Sequence, residues 1–258
     1  MASDIRVLST PGLYCLGIAL LLCGTLAARE QCGVEAKLLV SSRDLPKSLA
    51  ALHAVRKSRG EVYFFDTDGL KLFSQGVILR LRTGARDDLT VKIRSNEAIE
   101  LKDLSAGSEI FKCEVDFVGN TPLTSHSLRA AWNGKQIPQT GQSLHAALSP
   151  GQLRLLTAAG VSIDWHHVRP ILQVEATDWE VRTDGPAKRV VVELWEWQPN
   201  GSILELSAKA DPQRATSTMG QLQKMAVDGG LVVEEDQEPK TSVVFHVKAP
   251  EAGVGKSQ

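Results

Sequence analysis

Residues Val77 to Ser95 read VILRLRTGARDDLTVKIRS. Arg80 and Arg82 stand two apart and alternate with Leu79 and Leu81; Lys92 and Arg94 repeat the pattern with Val91 and Ile93. Alternation with period 2 is the mark of a strand, and residues i and i+2 of a strand share a face. The turn-rich Gly84-Ala85-Arg86-Asp87-Asp88 joins the two runs as neighbouring strands. Two pairs of cations are thus aimed at one place, in a chain whose formal net charge is −1.

The same alternation recurs on either side. Gly33 to Val40, Glu61 to Thr67, Glu109 to Val118, Arg169 to Arg182, Arg189 to Trp197 and Ser202 to Ala210 read as strands, the last preceded by the turn Pro199-Asn200-Gly201. Leu45, Leu49, Leu52 and Val55 are spaced for a helix over 45–59. Ser149 is placed to cap a second helix ending at Gly160, and 213–227 makes a third, stopped by Gly229-Gly230. Strands outnumber helices, and one α+β domain is the simplest organisation.

Sorting the strands by face repeats the opening pattern. Glu35 and Lys37 oppose Val34, Ala36 and Leu38. Glu114 and Asp116 oppose Cys113, Val115 and Phe117. Glu205, Ser207 and Lys209 oppose Leu204, Leu206 and Ala208. An open antiparallel sheet with one wet face accounts for any single strand. It accounts less well for faces made of Arg, Lys, Glu and Asp grouped by sign. A closed barrel with its polar side inward and helices over its apolar outer face accounts for them together. Unpaired charge in such a lumen is costly. Cations there suit a polyanion, and carboxylates beside it suit a divalent metal.

Composition sets the bounds. The chain has 258 residues, 43% hydrophobic and 23% charged, which is globular. Near-neutral charge argues against a general nucleic-acid coat. Leu13 to Cys23, LYCLGIALLLC, follows Arg6 and precedes the small residues Gly24-Thr25-Leu26-Ala27-Ala28. This is the layout of a signal peptide over 1–28, cut after Ala27 or Ala28; the run is too short to span a membrane comfortably. Export to the periplasm or beyond is therefore expected, with a domain over 29–248, a flexible tail over 249–258 and no membrane span after cleavage. Cleavage leaves Cys32 and Cys113, either as one disulfide or as two buried thiols. His166 and His167, read on a strand, point to opposite faces and make poor joint metal ligands. Trp179, Trp195 and Trp197 read as packing residues rather than a base-stacking platform.

The segments together resemble the CYTH-type triphosphate tunnel metalloenzymes, which include inorganic and thiamine triphosphatases and class IV adenylate cyclases. The similarity runs from about residue 33 to about 242. The family's opening E-x-E-x-K corresponds to Gly33-Val34-Glu35-Ala36-Lys37, and its Y-F-D-T-like strand to Tyr63-Phe64-Phe65-Asp66-Thr67. L-x-x-x-G-x-x-L-R-x-R corresponds to the run Leu72 to Arg82, T-x-K to Thr90-Val91-Lys92, and an acidic strand to Glu114-Val115-Asp116. A late E-x-E is met in part by Glu205-Leu206-Ser207.

The resemblance implies an antiparallel tunnel of about eight strands with a polar lumen. Its implied activity is metal-dependent hydrolysis of a triphosphate or polyphosphate. By the same mapping Lys37, Arg80, Arg82, Lys92 and Arg94 are phosphate contacts, with Arg169 and Lys209 as further candidates. Glu35, Glu114, Asp116 and Glu205 are candidate ligands for Mg²⁺ or Mn²⁺. Asp66, Glu193 and Glu196 are left facing either way. Two family carboxylates are replaced, by Gly33 and Ser207. The cations are better kept than the metal ligands, so a non-catalytic polyphosphate or polyanion binder is the alternative.

Overall fold

A computed structural model describes residues 32–84, 86–95, 99, 108–119 and 121–248. The chain divides into two units, 1–30 and 31–258; the expected signal peptide and the expected tail lie outside the described residues. Among the described residues no helix is long and apolar enough to cross a membrane.

The elements run in the order β1 (Gly33–Ser41), α1 (Leu45–Ala51), β2 (Val55–Asp66), α2 (Lys71–Ser74), β3 (Val77–Gly84), β4 (Asp88–Arg94), β5 (Ile110–Val118), β6 (Thr121–Ala131) and α3 (Gly141–Ala147). There follow α4 (Pro150–Ala158), β7 (Arg169–Arg182), β8 (Arg189–Trp197), β9 (Gly201–Ala210), a 3-10 turn Pro212–Arg214, α5 (Ala215–Asp228), β10 (Val232–Val233) and α6 (Lys240–Lys248).

Strands β1, β5, β6, β4, β3, β2, β7, β8 and β9 lie side by side, and β9 pairs back onto β1 to close the barrel. Closure leaves no free edge along the wall. Two details differ from the expected eight antiparallel strands. The closed wall has nine strands, and β1 and β5 run parallel, with Gly33 beside Glu114 and Glu35 beside Asp116. The added strand, β6, fills the gap between β4 and β5, so those two are not neighbours. β10 pairs with the far end of β1 through Val40 and Ser41.

The apolar outer face is covered as the alternation requires. Leu79, Leu81, Val91 and Ile93 pack under Leu144, Leu155 and Leu156 of α3 and α4. Ala36, Leu38, Leu206 and Ala208 pack under Met219, Leu222 and Ala226 of α5. Ser149 caps α4 in a reciprocal box with Gln152, whose buried Nε2 donates to the carbonyls of Leu89 and Leu128 at 2.7 and 3.1 Å. The cap, read from sequence, thus also fixes the helix onto the β4–β6 ladder.

Where a helix was expected over 45–59, α1 ends at Ala51. His53 takes a left-handed backbone, φ 52, and Val55 begins β2. The apolar spacing of Leu45, Leu49 and Leu52 holds for α1, but the stretch 55–60 pairs with β7, and that ladder overrides the helical spacing. Cys32 and Cys113 form a disulfide at the start of the parallel β1–β5 pair.

One helix is not laid over the outer wall. Val244 and Phe245 of α6 are 0% and 1% exposed and pack with Val62, Phe64, Ile78 and Trp195. Ile78 shares a face with Arg80 and Arg82, and Val62 with Phe64, so these are inward-facing residues. Phe73 of α2 stacks on Phe245 at 4.6 Å between centroids, and Phe64 meets it edge-on at 5.4 Å. Helices α2 and α6 therefore close one end of the barrel.

Candidate functional site

Beyond that apolar plug the lumen is a cavity of about 780 Å³ lined largely by charge. β1 contributes Glu35 and Lys37, β3 contributes Arg80 and Arg82, and β4 contributes Thr90, Lys92 and Arg94. Glu114 and Asp116 of β5 line it, as do Glu205, Ser207 and Lys209 of β9. The inward faces deduced from period 2 are thus brought together. Arg169 is not among them: it lies exposed at the start of β7, paired with Asp68. Its strand position, the first residue of β7 opposite Asp66, lies beyond the inward-facing stretch.

Several lining residues were not foreseen. Arg129 and Ser127 of β6 face Thr90 and Lys92 across the ladder, and Asp178 comes from β7. Glu193 lines the cavity whereas Glu196 is exposed; three residues apart on β8, only one can face inward. Asp66 is wholly buried elsewhere. Its carboxylate accepts from the backbone N–H of Thr67, Leu72 and Phe73 at 2.6, 2.9 and 2.8 Å and so fixes the turn into α2. Gly76, in the same motif, has φ +76, and a Cβ there would sit 2.5 Å from the carbonyl oxygen of Arg94. These two motif residues build the approach to β3 and do not line the cavity.

The most informative unforeseen residue is Lys240, at the start of α6. Its Nζ donates to Glu205 Oε1 at 2.8 Å and also to Glu193 Oε2, and lies 4.8 Å from the centroid of the Trp195 ring. Two positions on, Ser242 Oγ accepts from Arg94 Nη1 at 3.1 Å. A lysine at the head of a short helix gives no sequence signal that separates it from a solvated one. The histidines take no part: His166 and His167 lie exposed in the turn before β7, not on a strand, and His166 meets Gln142. Trp195 and Trp197 are buried packing residues, 1% and 9% exposed, and Trp179 is partly buried against the core cluster that includes its cross-strand neighbour Val192.

The charges are unevenly satisfied. Lys37 bridges Asp116 at 2.9 Å and Glu35 at 3.3 Å, and Lys92 meets Asp116 at 3.1 Å. Burial works against the Lys37 ammonium, but Glu35, Asp116 and Glu205 outweigh it and raise its pKa. Burial likewise works against the Asp116 carboxylate, yet Lys37 and Lys92 hold it at about 2. Glu114 meets Lys209 at 3.3 Å and Lys112 at 3.6 Å, nearer the rim. By contrast Arg80 Nε and Arg94 Nε are buried without a hydrogen-bond partner. Burial, reinforced by neighbouring Arg82, pushes Arg80 down to about 9. Burial brings Lys92 down to about 8 against the pull of Asp116, with Lys37 adding to the fall. Both shifts come chiefly from desolvation, which Asp116 offsets only in part at Lys92.

On the carboxylate side, Glu205 is raised to about 7 by burial, opposed by Lys37 and helped by Glu35 and Asp116. Its Oε2 is buried and has no partner. Among the described residues no group of three or more carboxylates, histidines or cysteines is arranged to hold a metal by itself.

No family model and no curated protein matches the chain. Solved structures do. HpAC1 from Hippeastrum, a candidate adenylyl cyclase described as having a dominant triphosphatase activity, aligns with a TM-score of 0.53 at 16% identity over 83% of this chain and 95% of that one. A candidate adenylate cyclase from Bacillus halodurans aligns with a TM-score of 0.52 at 17% identity, over 83% and 98%. The chain shares the fold of these two structures. In the barrel of this chain the plugged end is apolar, and the charged groups gather in the remaining cavity.

Proposed function

We propose that the tunnel binds a triphosphate or polyphosphate end-on and hydrolyses it with the help of a divalent metal. The observation that carries this reading is the set of partly unsatisfied cations in one cavity: Arg80 and Arg94, each with a buried, unpartnered Nε, beside Lys92, Arg82 and Arg129. Buried cations without counter-charge are costly, and a chain of phosphates supplies that charge along the line of β3 and β4. Guanidinium groups present donors in a geometry matched to phosphate oxygens. The triphosphatase activity described for the Hippeastrum protein, which has the same fold, supports the same substrate class.

The residues fit a divalent ion in one particular way. Mg²⁺ and Mn²⁺ accept one or two carboxylates when phosphate oxygens and water complete the shell. Glu205, with its free Oε2, and Glu193, directly across from it on β8, would hold such an ion once Lys240, which bonds both, has left them. Glu35 contributes charge nearby. Asp116 and Glu114, already committed to lysines, serve to hold those lysines in place. When bound, the ion would neutralise charge on the transferring phosphoryl group. The protein's own cations fix the chain and stabilise the oxygens on which charge accumulates. The Cys32–Cys113 disulfide supports the reading of an exported chain, since such bonds persist in oxidising compartments.

The second reading, a binder without turnover, is favoured by Gly33 and Ser207, which thin the carboxylate set. One experiment tests both. Phosphate release from inorganic tripolyphosphate is followed with Mg²⁺, with Mn²⁺ and with EDTA, beside calorimetric binding in EDTA. Turnover that EDTA abolishes is the expected result. Binding without turnover selects the second reading, and absence of binding overturns both.

A further inference from the structure

Glu193 and Glu205 are direct cross-strand partners on β8 and β9. Like charges placed opposite each other on a ladder repel, and burial removes the water that would screen them. A proton or a cation between them relieves that repulsion, and in this structure the Lys240 head group sits there, bonded to both. That head group is carried on a flexible stem. Behind it, α6 is seated through Val244 and Phe245, so the head can move while the helix stays. Lys240 also lines the cavity that holds Arg80, Arg82 and Lys92. It is thus a tethered cation within reach of two competing anions, the carboxylate pair and whatever occupies the cavity.

We propose that Lys240 is a resident counter-ion that occupies the cation position between Glu193 and Glu205 until a phosphate chain draws it away, so that anion binding precedes and permits metal binding. This rests on the reading that the cavity takes a phosphate chain. A divalent ion arriving first must expel a buried amine into a lumen where Lys37 and Arg82 repel it and Glu35 and Asp178 offset them only in part. A phosphate chain arriving first gives Lys240 new acceptors and leaves two facing carboxylates in need of a cation. The orphaned Oε2 of Glu205 marks the unfilled share of that need. Thermodynamic linkage makes the coupling reciprocal: metal on the carboxylates tightens the phosphate chain by the same factor.

The test uses manganese alone. Mn²⁺ is titrated into the full chain without phosphate, and free Mn²⁺ is read by electron paramagnetic resonance. Lys240→Met is expected to bind Mn²⁺ about tenfold tighter than wild type or more, and adding Glu205→Gln to that variant is expected to remove the gain. Lys240→Gln, which keeps a polar head, is run beside it, with thermal melts of both, so that a folding defect in one variant does not decide the outcome. Equal Mn²⁺ affinity in wild type and in the folded Lys240 variants overturns the counter-ion role. Tripolyphosphate binding by wild type in EDTA is measured separately. If it is absent, the parent reading fails whatever manganese does; if it is present and the Lys240 variants gain nothing, the counter-ion role alone falls.

Discussion

The inner face of the barrel has two stretches that differ by a single step along the same strands. On β3, Ile78 belongs to the apolar plug and Arg80 to the charged cavity. On β8, Trp195 is plug and Glu193 is cavity wall, joined by a hydrogen bond of 2.7 Å from the indole N–H to the carboxylate. The plug is packed, with Phe64, Trp195, Val244 and Phe245 all at 1% exposure or less. The cavity keeps unpaired polar atoms on Arg80, Arg94 and Glu205. Closing the end with α6 gives the barrel an internal core, and that core holds the open, charge-strained stretch in place. Stability and ligand binding should therefore separate along the tunnel axis.

The largest separation is expected from Arg80→Ala combined with Arg82→Ala. Charge-assisted hydrogen bonds are worth about 1.5–3 kcal/mol each, so tripolyphosphate affinity should fall ~10²–10⁴-fold. The fold should not suffer, because two desolvated cations are removed; calorimetry for binding and a thermal melt for stability check the two halves. Affinity unchanged by the pair would sink the phosphate reading of the cavity. Phe245→Ala probes the other stretch. It empties the contacts with Phe64 and Phe73 and should cost about 3–5 kcal/mol in denaturant unfolding. If it lowers stability by less than the arginine pair does, the two stretches do not divide as argued.

A similar contrast exists between the two seams of β1. Its pairing with β9 is antiparallel over seven residues, Val34 to Val40, whereas its pairing with β5 is parallel and covers five, Gly33 to Lys37. The weaker seam carries the disulfide, which closes a loop spanning 81 residues of sequence. Replacing Cys32 and Cys113 together by serine should cost about 2–4 kcal/mol. Reduction of the wild type should reproduce the loss in a melt, and no change in either would show that pairing alone holds the seam.

The wall of the cavity was legible from sequence because period 2 is strict where one face is charged and the other lies under a helix. Leu79 and Leu81 against Arg80 and Arg82 could be sorted without any knowledge of the fold. Three features resisted. Strand β6 contributes Arg129 and Ser127, but its sequence TPLTSHSLRAA mixes polar and apolar residues without clean alternation, and its place is set by ladders on both sides. β2 begins at Val55 because β7 is there to pair with, which no local spacing records. Lys240 takes its meaning from Glu193 and Glu205, 47 and 35 residues away. Each depends on a tertiary neighbour, and local pattern carries no information about neighbours of that kind.

The smallest effect expected is a pH dependence that belongs to the charged stretch alone. Burial lowers the free-state pKa of Lys92 to about 8, and a bound phosphate chain raises it. Affinity for tripolyphosphate in EDTA should then be level below pH 8, where Lys92 is charged in both states. Above it, binding must first charge the lysine, so affinity should fall by up to about tenfold per pH unit until the bound-state pKa is passed. The sign for the fold is the reverse: the charged, desolvated ammonium is a cost to the free protein below pH 8, and that cost fades as the group neutralises. Stability of the ligand-free protein and affinity for the chain should thus move in opposite directions between pH 8 and 9. Lys92→Met should flatten the affinity profile at a lower level, while Phe245→Ala should leave its shape alone. A profile that keeps its slope in Lys92→Met would assign the proton to another group in the cavity and remove Lys92 from the binding set.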